Sequence, residues 1–311
     1  MGYLVPAPGA VLSRDIADYP EGIVLPVDKP YRWTSADVIR KLKYAAIRYF
    51  GKKNLKVGHA GTLDPLATGV LLVCIGAACK RAQELQDHDK EYIARIRFGA
   101  TTPSYDLEKE VDRTFPFEHI TEAAVRDALP AFLGEQEQVA PLFSAKSVDG
   151  VRAYELARKM YKAHSCHSKP LSCHSERSEE SPFDAAALDT LQRSSITISE
   201  LELLDFQVGD TLGPEGLGMT NDTPVIPSAA SVSHTASSRI HVADTSALGL
   251  PEAAIRIACS KGTYIRAFAR DLGEALGSGA HLSGLIRSRS GDYRVEDALS
   301  MDQALALFQK P

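Results

Sequence analysis

The sequence predicts an α+β domain built on a sheet, and three observations support this. Apolar and polar side chains alternate at residues 92–98 and 254–259, which is typical of strands, and 70–75 is a short apolar run typical of a buried strand. Apolar residues recur at helical spacing after Thr34 and after Tyr264. Strands and helices are mixed without a regular strand–helix–strand rhythm, and this favours the α+β class.

The first elements follow in chain order. We expect residues 1–20 to form an irregular leader and residues 23–27 a short strand that ends at Asp28-Lys29-Pro30. Thr34 to Asp37 then form a loose capping box that opens a helix. The apolar positions of that helix are Val38, Leu42, Ala45 and Tyr49.

Further elements are bounded by caps and breakers. Gly99 ends the strand at 92–98, and a helix is expected from Thr121, its N-cap, to Leu129 before Pro130. Residues 196–206 resemble a strand. The helix after Tyr264 is expected to stop near Gly277, and a second capping box at 300–303 opens the last helix.

Two stretches interrupt this pattern and are expected to be flexible insertions within a single domain spanning residues 21–311. They lie at about 161–195 and 209–250 and lack the apolar content that offsets ordering entropy. The first repeats Ser-Cys-His-Ser at 165–168 and 172–175. Its two Cys-His pairs can bind zinc, but their place in a short, low-complexity repeat predicts no physiological metal.

Composition argues against a membrane-spanning protein and against a secreted one. The chain has 311 residues, 44% of them hydrophobic, and a net charge of −5. Its longest apolar stretch is too short to span a membrane, and no signal peptide is evident. Five cysteines, an odd number, fit reduced thiols and a cytoplasmic location.

Positive charge is concentrated in one block despite the acidic balance. Residues 29–56 hold nine Lys and Arg residues and one acid, Asp37. Such a block is either a solvated helix face or a surface that binds phosphates.

The segment from Gly58 to Gly69 is the most informative in the chain. It contains three glycines, His59 and Asp64, directly before the buried strand at 70–75. Asp64 precedes a proline, so it either caps a helix or carries nucleophilic or acid/base chemistry on a tight turn. A metal bound by His59 and Asp64 would match no recognised spacing.

Residues 260–266, Ser-Lys-Gly-Thr-Tyr-Ile-Arg, form a second candidate segment between a strand and a helix. Tyr264 is either a core residue or a ring that stacks on a base. Arg266 is either an ordinary surface arginine or the partner of a carboxylate. The sequence contains no P-loop, no dinucleotide fingerprint and no Ser/His/Asp elbow, so we expect no cofactor.

Together these segments resemble the TruB family of tRNA pseudouridine synthases, which make pseudouridine-55 in the T arm. The resemblance covers most of residues 23–160 and 196–294. It rests on Asp28-Lys29-Pro30 with Thr34-Ser35, Gly58–Gly69, Asp89–Tyr92, Ser144–Lys146 with Gly150 and Tyr154–Arg158, Cys259–Arg266, and Gly279–His281 with Leu285 and Arg287.

The resemblance implies a pseudouridine synthase-type fold on a mixed, largely antiparallel sheet, flanked by helices and loops. It also implies isomerisation of a flipped-out uridine by an aspartate nucleophile, matched here by Asp64. The other implied catalytic residues are Tyr92, which stacks on the base and is a candidate for proton transfer at C5, and Arg266, which pairs with the aspartate. The implied substrate-binding residues are His59, Tyr264, Leu285 and Lys29.

The resemblance further implies tRNA, through its T arm, as the partner, with no obligate protein partner and no metal. The chain departs from the family in its two insertions and in the 17 residues after Arg294, from which we expect no C-terminal RNA-binding domain of the PUA type. Residues 102–106 match a family segment only loosely. Two other functions remain open: a noncatalytic tRNA-binding or tRNA-folding factor, and an aspartate-dependent enzyme acting on another RNA uridine.

Overall fold

The computed structural model describes residues 2–141, 147–148, 151–152, 193–209 and 240–309. The two Cys-His pairs lie outside the described residues, as do the family-like residues 144–146, 150 and 154–158. The predicted insertions are described only at their ends, at 193–195, at 209 and at 240–250.

The described elements comprise thirteen strands and five α-helices. The strands are β1 (Ile23–Lys29), β2 (Val57–Ala60), β3 (Ala67–Ile75), β4 (Lys90–Phe98), β5 (Ala100–Thr101), β6 (Arg113–Thr114), β7 (Gly134–Val139), β8 (Ser147–Val148), β9 (Val151–Arg152), β10 (Arg193–Gln207), β11 (Glu252–Cys259), β12 (Ala280–Ser290) and β13 (Tyr293–Arg294). The helices are α1 (Ser35–Phe50), α2 (Ala82–Asp87), α3 (Glu122–Ala128), α4 (Ile265–Ala275) and α5 (Met301–Ala306).

A nine-stranded sheet forms the centre of the described fold. Seven of its strands run in the order β1-β3-β12-β4-β11-β10-β7, while β2 pairs with β3 and β13 pairs with β12. Among the described pairings in this sheet, β12 with β3 is parallel and the others are antiparallel. The predicted α+β class and the mixed, largely antiparallel sheet are therefore confirmed.

The predicted helix starts are confirmed by their caps. The hydroxyl of Thr34 accepts a hydrogen bond from the amide of Asp37, and the Asp37 carboxylate accepts one from the amide of Thr34. Ser300 and Gln303 form the same reciprocal pair at the start of α5, and Thr121 caps α3. Each cap satisfies amides that have no partner within the first helical turn.

Four strands, β3, β4, β10 and β11, begin two or three residues earlier than the sequence predicts. Distant partners extend β3 and β10. Strand β3 begins at Ala67 rather than Val70, since residues 67–69 pair with 285–287 of β12. Strand β10 begins at Arg193 rather than Ile196, since residues 193–195 pair with β7. An apolar run shows where a strand is buried, but it does not show where its edge residues find partners.

The order of three neighbouring strands positions the candidate site. Asp64 lies just before β3, Leu285 lies in β12, and Tyr92 lies in β4. Strands β3 and β12 approach closely at Gly69, which has φ +97°, and a Cβ added there would lie 2.2 Å from the carbonyl oxygen of Arg287. Glycine is therefore required at this crossing.

Candidate active site

The centre of the site is a two-point ion pair between Asp64 and Arg266. Arg266 Nε lies 2.9 Å from Asp64 Oδ2, and its Nη2 lies 3.1 Å from Oδ1. The arginine side chain is 5% exposed, whereas the aspartate side chain is 36% exposed. This pairing orients the carboxylate without covering it, so the group stays accessible to a substrate.

The alternative that Asp64 caps a helix is wrong. The residues after it form a turn, in which the amide of Ala67 donates to the carbonyl of Asp64, and the chain then enters β3. Arg266 is likewise not an ordinary surface arginine, because it lies in the first turn of α4 with its side chain almost completely buried.

Arg287 holds the start of the loop that carries Asp64. Its Nε donates to the carbonyl of Val70 at 2.7 Å, and its Nη2 and Nη1 donate to the carbonyls of Gly61 and Thr62 at 3.2 and 3.4 Å. The side chain is 1% exposed and belongs to the largest fully buried side chains. A buried guanidinium that spans three carbonyls fixes the backbone on both sides of the aspartate.

Ser35 and Lys29 hold the rest of this loop. The Ser35 hydroxyl accepts from the amide of Leu63 at 2.9 Å and donates to its carbonyl at 3.1 Å. Lys29 Nζ donates to the carbonyls of Pro65, Pro30 and Trp33 at 3.2, 3.0 and 2.6 Å. The turn around Asp64 is therefore anchored to β1, α1 and β12.

Burial gives Lys29 an unusual proton affinity. Desolvation lowers the pKa of Lys29 to about 7, and the negative charges of Asp64 and Asp28 partly oppose that shift. The three carbonyls that surround Nζ compensate for the lost hydration of the ammonium group.

A second carboxylate, Asp106, completes the surroundings of Arg266. Asp106 Oδ2 lies 3.8 Å from Arg266 Nε, and its Oδ1 accepts from the Ser104 hydroxyl at 2.6 Å and the Glu108 amide at 2.9 Å. Burial raises the pKa of Asp106 to about 6, with Arg266 lowering it and Asp64 raising it. Arg266 Nη1 also donates to the Ser104 carbonyl at 3.2 Å.

An apolar pocket opens at this charged cluster. Its charged walls are Asp64, Arg266 and Asp106. The remaining wall residues are Leu66, Ala67, Leu107, Leu282, Ser283, Gly284 and Leu285. A mostly apolar group with a polar edge suits a pocket with such walls.

Three other residues implied by the resemblance, Tyr92, His59 and Tyr264, are not among the wall residues of this pocket. Tyr92 is buried in β4, and in the sheet its Cα is opposite that of Arg287. His59 lies half-buried in β2, and burial lowers its pKa. Tyr264 is half-buried at the start of α4, where its amide donates to Gln138 Oε1 at 2.8 Å.

Sequence reasoning gave no role to Asp106, Ser35 or Arg287. Asp106 falls in the loosely matching segment 102–106, where Ser104-x-Asp106 is the only local signal of a paired side chain. Arg287 belongs to a family-like motif, but nothing in the sequence indicates that its guanidinium reaches back to residues 61, 62 and 70.

The described ranges contain neither a cluster of metal-binding side chains nor a membrane-spanning helix. No three His, Cys, Asp or Glu side chains there are grouped as ligands for a metal ion. None of the described helices has the length and apolarity needed to cross a membrane.

The chain is similar to one known family and to several named proteins. The TruB family pseudouridylate synthase (N terminal domain) matches residues 48–180. A tRNA pseudouridine synthase B from Phocaeicola vulgatus is 45% identical over 285 residues, covering 92% of each chain. The enzyme of that name from Bacteroides thetaiotaomicron is 45% identical over 282 residues, covering 91% of each.

A solved H/ACA RNP bound to a substrate RNA containing 2'-deoxyuridine superposes with a TM-score of 0.49 at 20% identity, covering 91% of this chain and 51% of that chain. This similarity is too low to bear on function. The two curated relatives, by contrast, are similar along almost their whole length. The chain therefore belongs to the TruB family of pseudouridylate synthases.

Proposed function

We propose that this protein isomerises uridine-55 in the T loop of tRNA to pseudouridine, with Asp64 as the nucleophile. The observation that carries the proposal is the accessible Asp64 carboxylate, which buried Arg266 holds at two points in the wall of an apolar pocket. Relatives named tRNA pseudouridine synthase B support tRNA as the substrate.

The reaction needs no oxidant and no energy source, because substrate and product are isomers. The bond from C1′ to N1 breaks, a bond from C1′ to C5 forms, the C5 proton leaves and N1 regains a hydrogen. Asp64 forms a covalent adduct while the uracil turns, by attack either on the base or on the ribose. The target base must first leave its stack, which costs roughly a few kcal/mol.

The remaining residues have supporting roles in this proposal. Tyr92 stacks on the flipped base and is a candidate for proton transfer at C5, and burial raises the pKa of its phenol. Leu285 and Tyr264 contact the uridine, and His59 helps to hold the T loop open. Lys29 supports the loop through the carbonyl of Pro65.

We also propose that residues 21–311 act as one catalytic domain. Strands from β1 near the start to β13 near the end of the described chain join a single nine-stranded sheet.

The test is tRNA pseudouridine mapping with the wild type and Asp64→Asn. Product at position 55 with the wild type alone supports both the site and the nucleophile, provided that the variant still binds tRNA. A wild type that binds tRNA and forms no pseudouridine would instead support the noncatalytic binding factor. Product at another uridine would support the enzyme with a different RNA target.

A further inference from the structure

The first helix presents a strongly positive surface that the proposed chemistry does not use. Of the nine cations between residues 29 and 56, Lys29 is buried and Arg32 is half-buried. The other seven are exposed and are called here the α1 basic face: Arg40, Lys41, Lys43, Arg48, Lys52, Lys53 and Lys56. This surface is positive although the chain as a whole has a net charge of −5.

The single acid in this span does not neutralise the face. The Asp37 carboxylate caps α1 by accepting from the amide and the hydroxyl of Thr34 at 3.1 and 2.6 Å. It also pairs with Arg40 at 2.8 Å. Across the described parts of the chain, no carboxylate lies within salt-bridge distance of the other six cations.

Aromatic rings fix two of these cations. Lys41 Nζ lies 5.0 Å from the centre of the Trp33 ring, and the Arg48 guanidinium lies 5.6 Å from that of Tyr44. The Tyr44 side chain is 65% exposed, which is unusual for a large hydrophobic residue of this protein. Positions 40, 44 and 48 are four residues apart, so they share one side of the helix.

The basic face begins beside the catalytic loop. Ser35, in the first turn of α1, is bonded to Leu63, and Lys29 joins the carbonyl of Trp33 to that of Pro65. With a rise of about 1.5 Å per residue, Arg48 lies about 20 Å along the axis from Ser35. The cations of α1 therefore extend up to about 20 Å from the end of the helix that contacts the catalytic loop.

We propose that the α1 basic face binds the phosphate backbone of the RNA stem next to the loop that presents the target uridine. This inference rests on the proposed function for the identity of the RNA. The exposed cations repel one another in the free protein, whereas their pairing with phosphates releases counterions and so stabilises the complex. Backbone contacts of this kind fix the register of the RNA on the protein without reading its sequence.

The test compares two triple variants that change the net charge equally. The face variant replaces three of the six unpaired cations: Lys41→Gln, Arg48→Gln and Lys52→Gln. The control variant replaces three exposed arginines on other elements: Arg126→Gln, Arg256→Gln and Arg294→Gln. Affinity for a T-arm hairpin that includes its stem is measured between 50 and 200 mM salt, together with the single-turnover rate of pseudouridine formation at saturating protein.

If all three cations contact phosphates, the slope of log K against log salt falls by about 2.7 in the face variant. The wild type then loses roughly 40-fold more affinity than the face variant across this fourfold change in salt. The single-turnover rate stays at the wild-type value, because the catalytic loop is unchanged. The control variant is expected to keep the wild-type slope.

Equal slopes for the face and control variants would overturn the inference and leave a solvated helix face. That outcome is separate from failure of the proposed function, which would appear as a wild type that forms no pseudouridine. If such a wild type still bound the hairpin with a salt slope that the face variant reduced, the inference would stand without the enzyme assignment.

Discussion

Replacing Asp106 with asparagine tests whether the second carboxylate positions Arg266. Asp106 Oδ2 lies 3.8 Å from the guanidinium, and both side chains are less than a tenth exposed. At an effective dielectric constant of about 20, two charges at this distance attract by roughly 4 kcal/mol. The cost of burying the carboxylate opposes this attraction, and Asp64 and the Ser104 carbonyl still hold Arg266 in the variant.

We therefore expect a loss of about 1.4 to 2.7 kcal/mol of transition-state stabilisation, which is a 10- to 100-fold decrease in rate. Stability should change little, because the asparagine oxygen can still accept from Ser104 and Glu108. The assay is single-turnover release of tritium from C5 of the target uridine at saturating protein, with tRNA binding measured in parallel.

Asp112→Asn provides the matched control. Asp112 is an exposed aspartate six residues further along the same segment, and it accepts from the Thr101 hydroxyl at 2.7 Å. The control is expected to keep the wild-type rate. An unchanged rate for Asp106→Asn, or a loss that tRNA binding explains fully, would refute the positioning role.

Three further variants probe the supports of the catalytic loop. Lys29 loses its proton near pH 7 in the folded chain and near pH 10.5 in the unfolded chain, so its contribution to the unfolding free energy rises with pH between these values. Lys29→Met lacks this group. Denaturant unfolding should therefore show the unfolding free energy of the wild type increasing relative to that of the variant from about pH 7 toward 10.5, and a constant difference would contradict the lowered pKa. Arg287→Lys keeps the charge but cannot span the carbonyls of Gly61, Thr62 and Val70, so its rate should fall more than its tRNA affinity; equal losses of rate and affinity would contradict this. Gly69→Ala should lower the unfolding free energy by more than about 3 kcal/mol, because its Cβ meets the backbone of β12 and its φ is positive; a wild-type melting temperature would contradict the close crossing.

Local signals in the sequence were sufficient for much of the fold. Thr34, Thr121 and Ser300 start helices because each hydroxyl accepts a hydrogen bond from the amide three residues later, an interaction that needs no distant partner. The alternation of apolar and polar residues in β4 is likewise a local signal, because one face of the strand packs against the core. The start of β3 was predicted wrongly, because residues 67–69 pair with β12 more than 200 residues later.

The same distinction applies to the site. Asp64 and Arg266 were candidates because each lies in a distinctive sequence segment. The hydrogen bond between them joins residues 202 apart in the chain, and it depends on the packing of α4 near the loop that carries Asp64. Arg287 was missed because its three acceptors are backbone carbonyls, which any residue type provides. Asp106 was missed because a single buried carboxylate carries no spacing pattern.

The central claim is that Asp64 performs the chemistry, and one measurement tests it most directly. Unmodified tRNA is incubated in molar excess with the wild type, with Asp64→Asn and with Asp112→Asn, and pseudouridine is mapped across the whole tRNA. The account predicts pseudouridine at position 55 with the wild type and Asp112→Asn, and none with an Asp64→Asn protein that binds tRNA as the wild type does. Pseudouridine formed by Asp64→Asn at a rate near that of the wild type would contradict it.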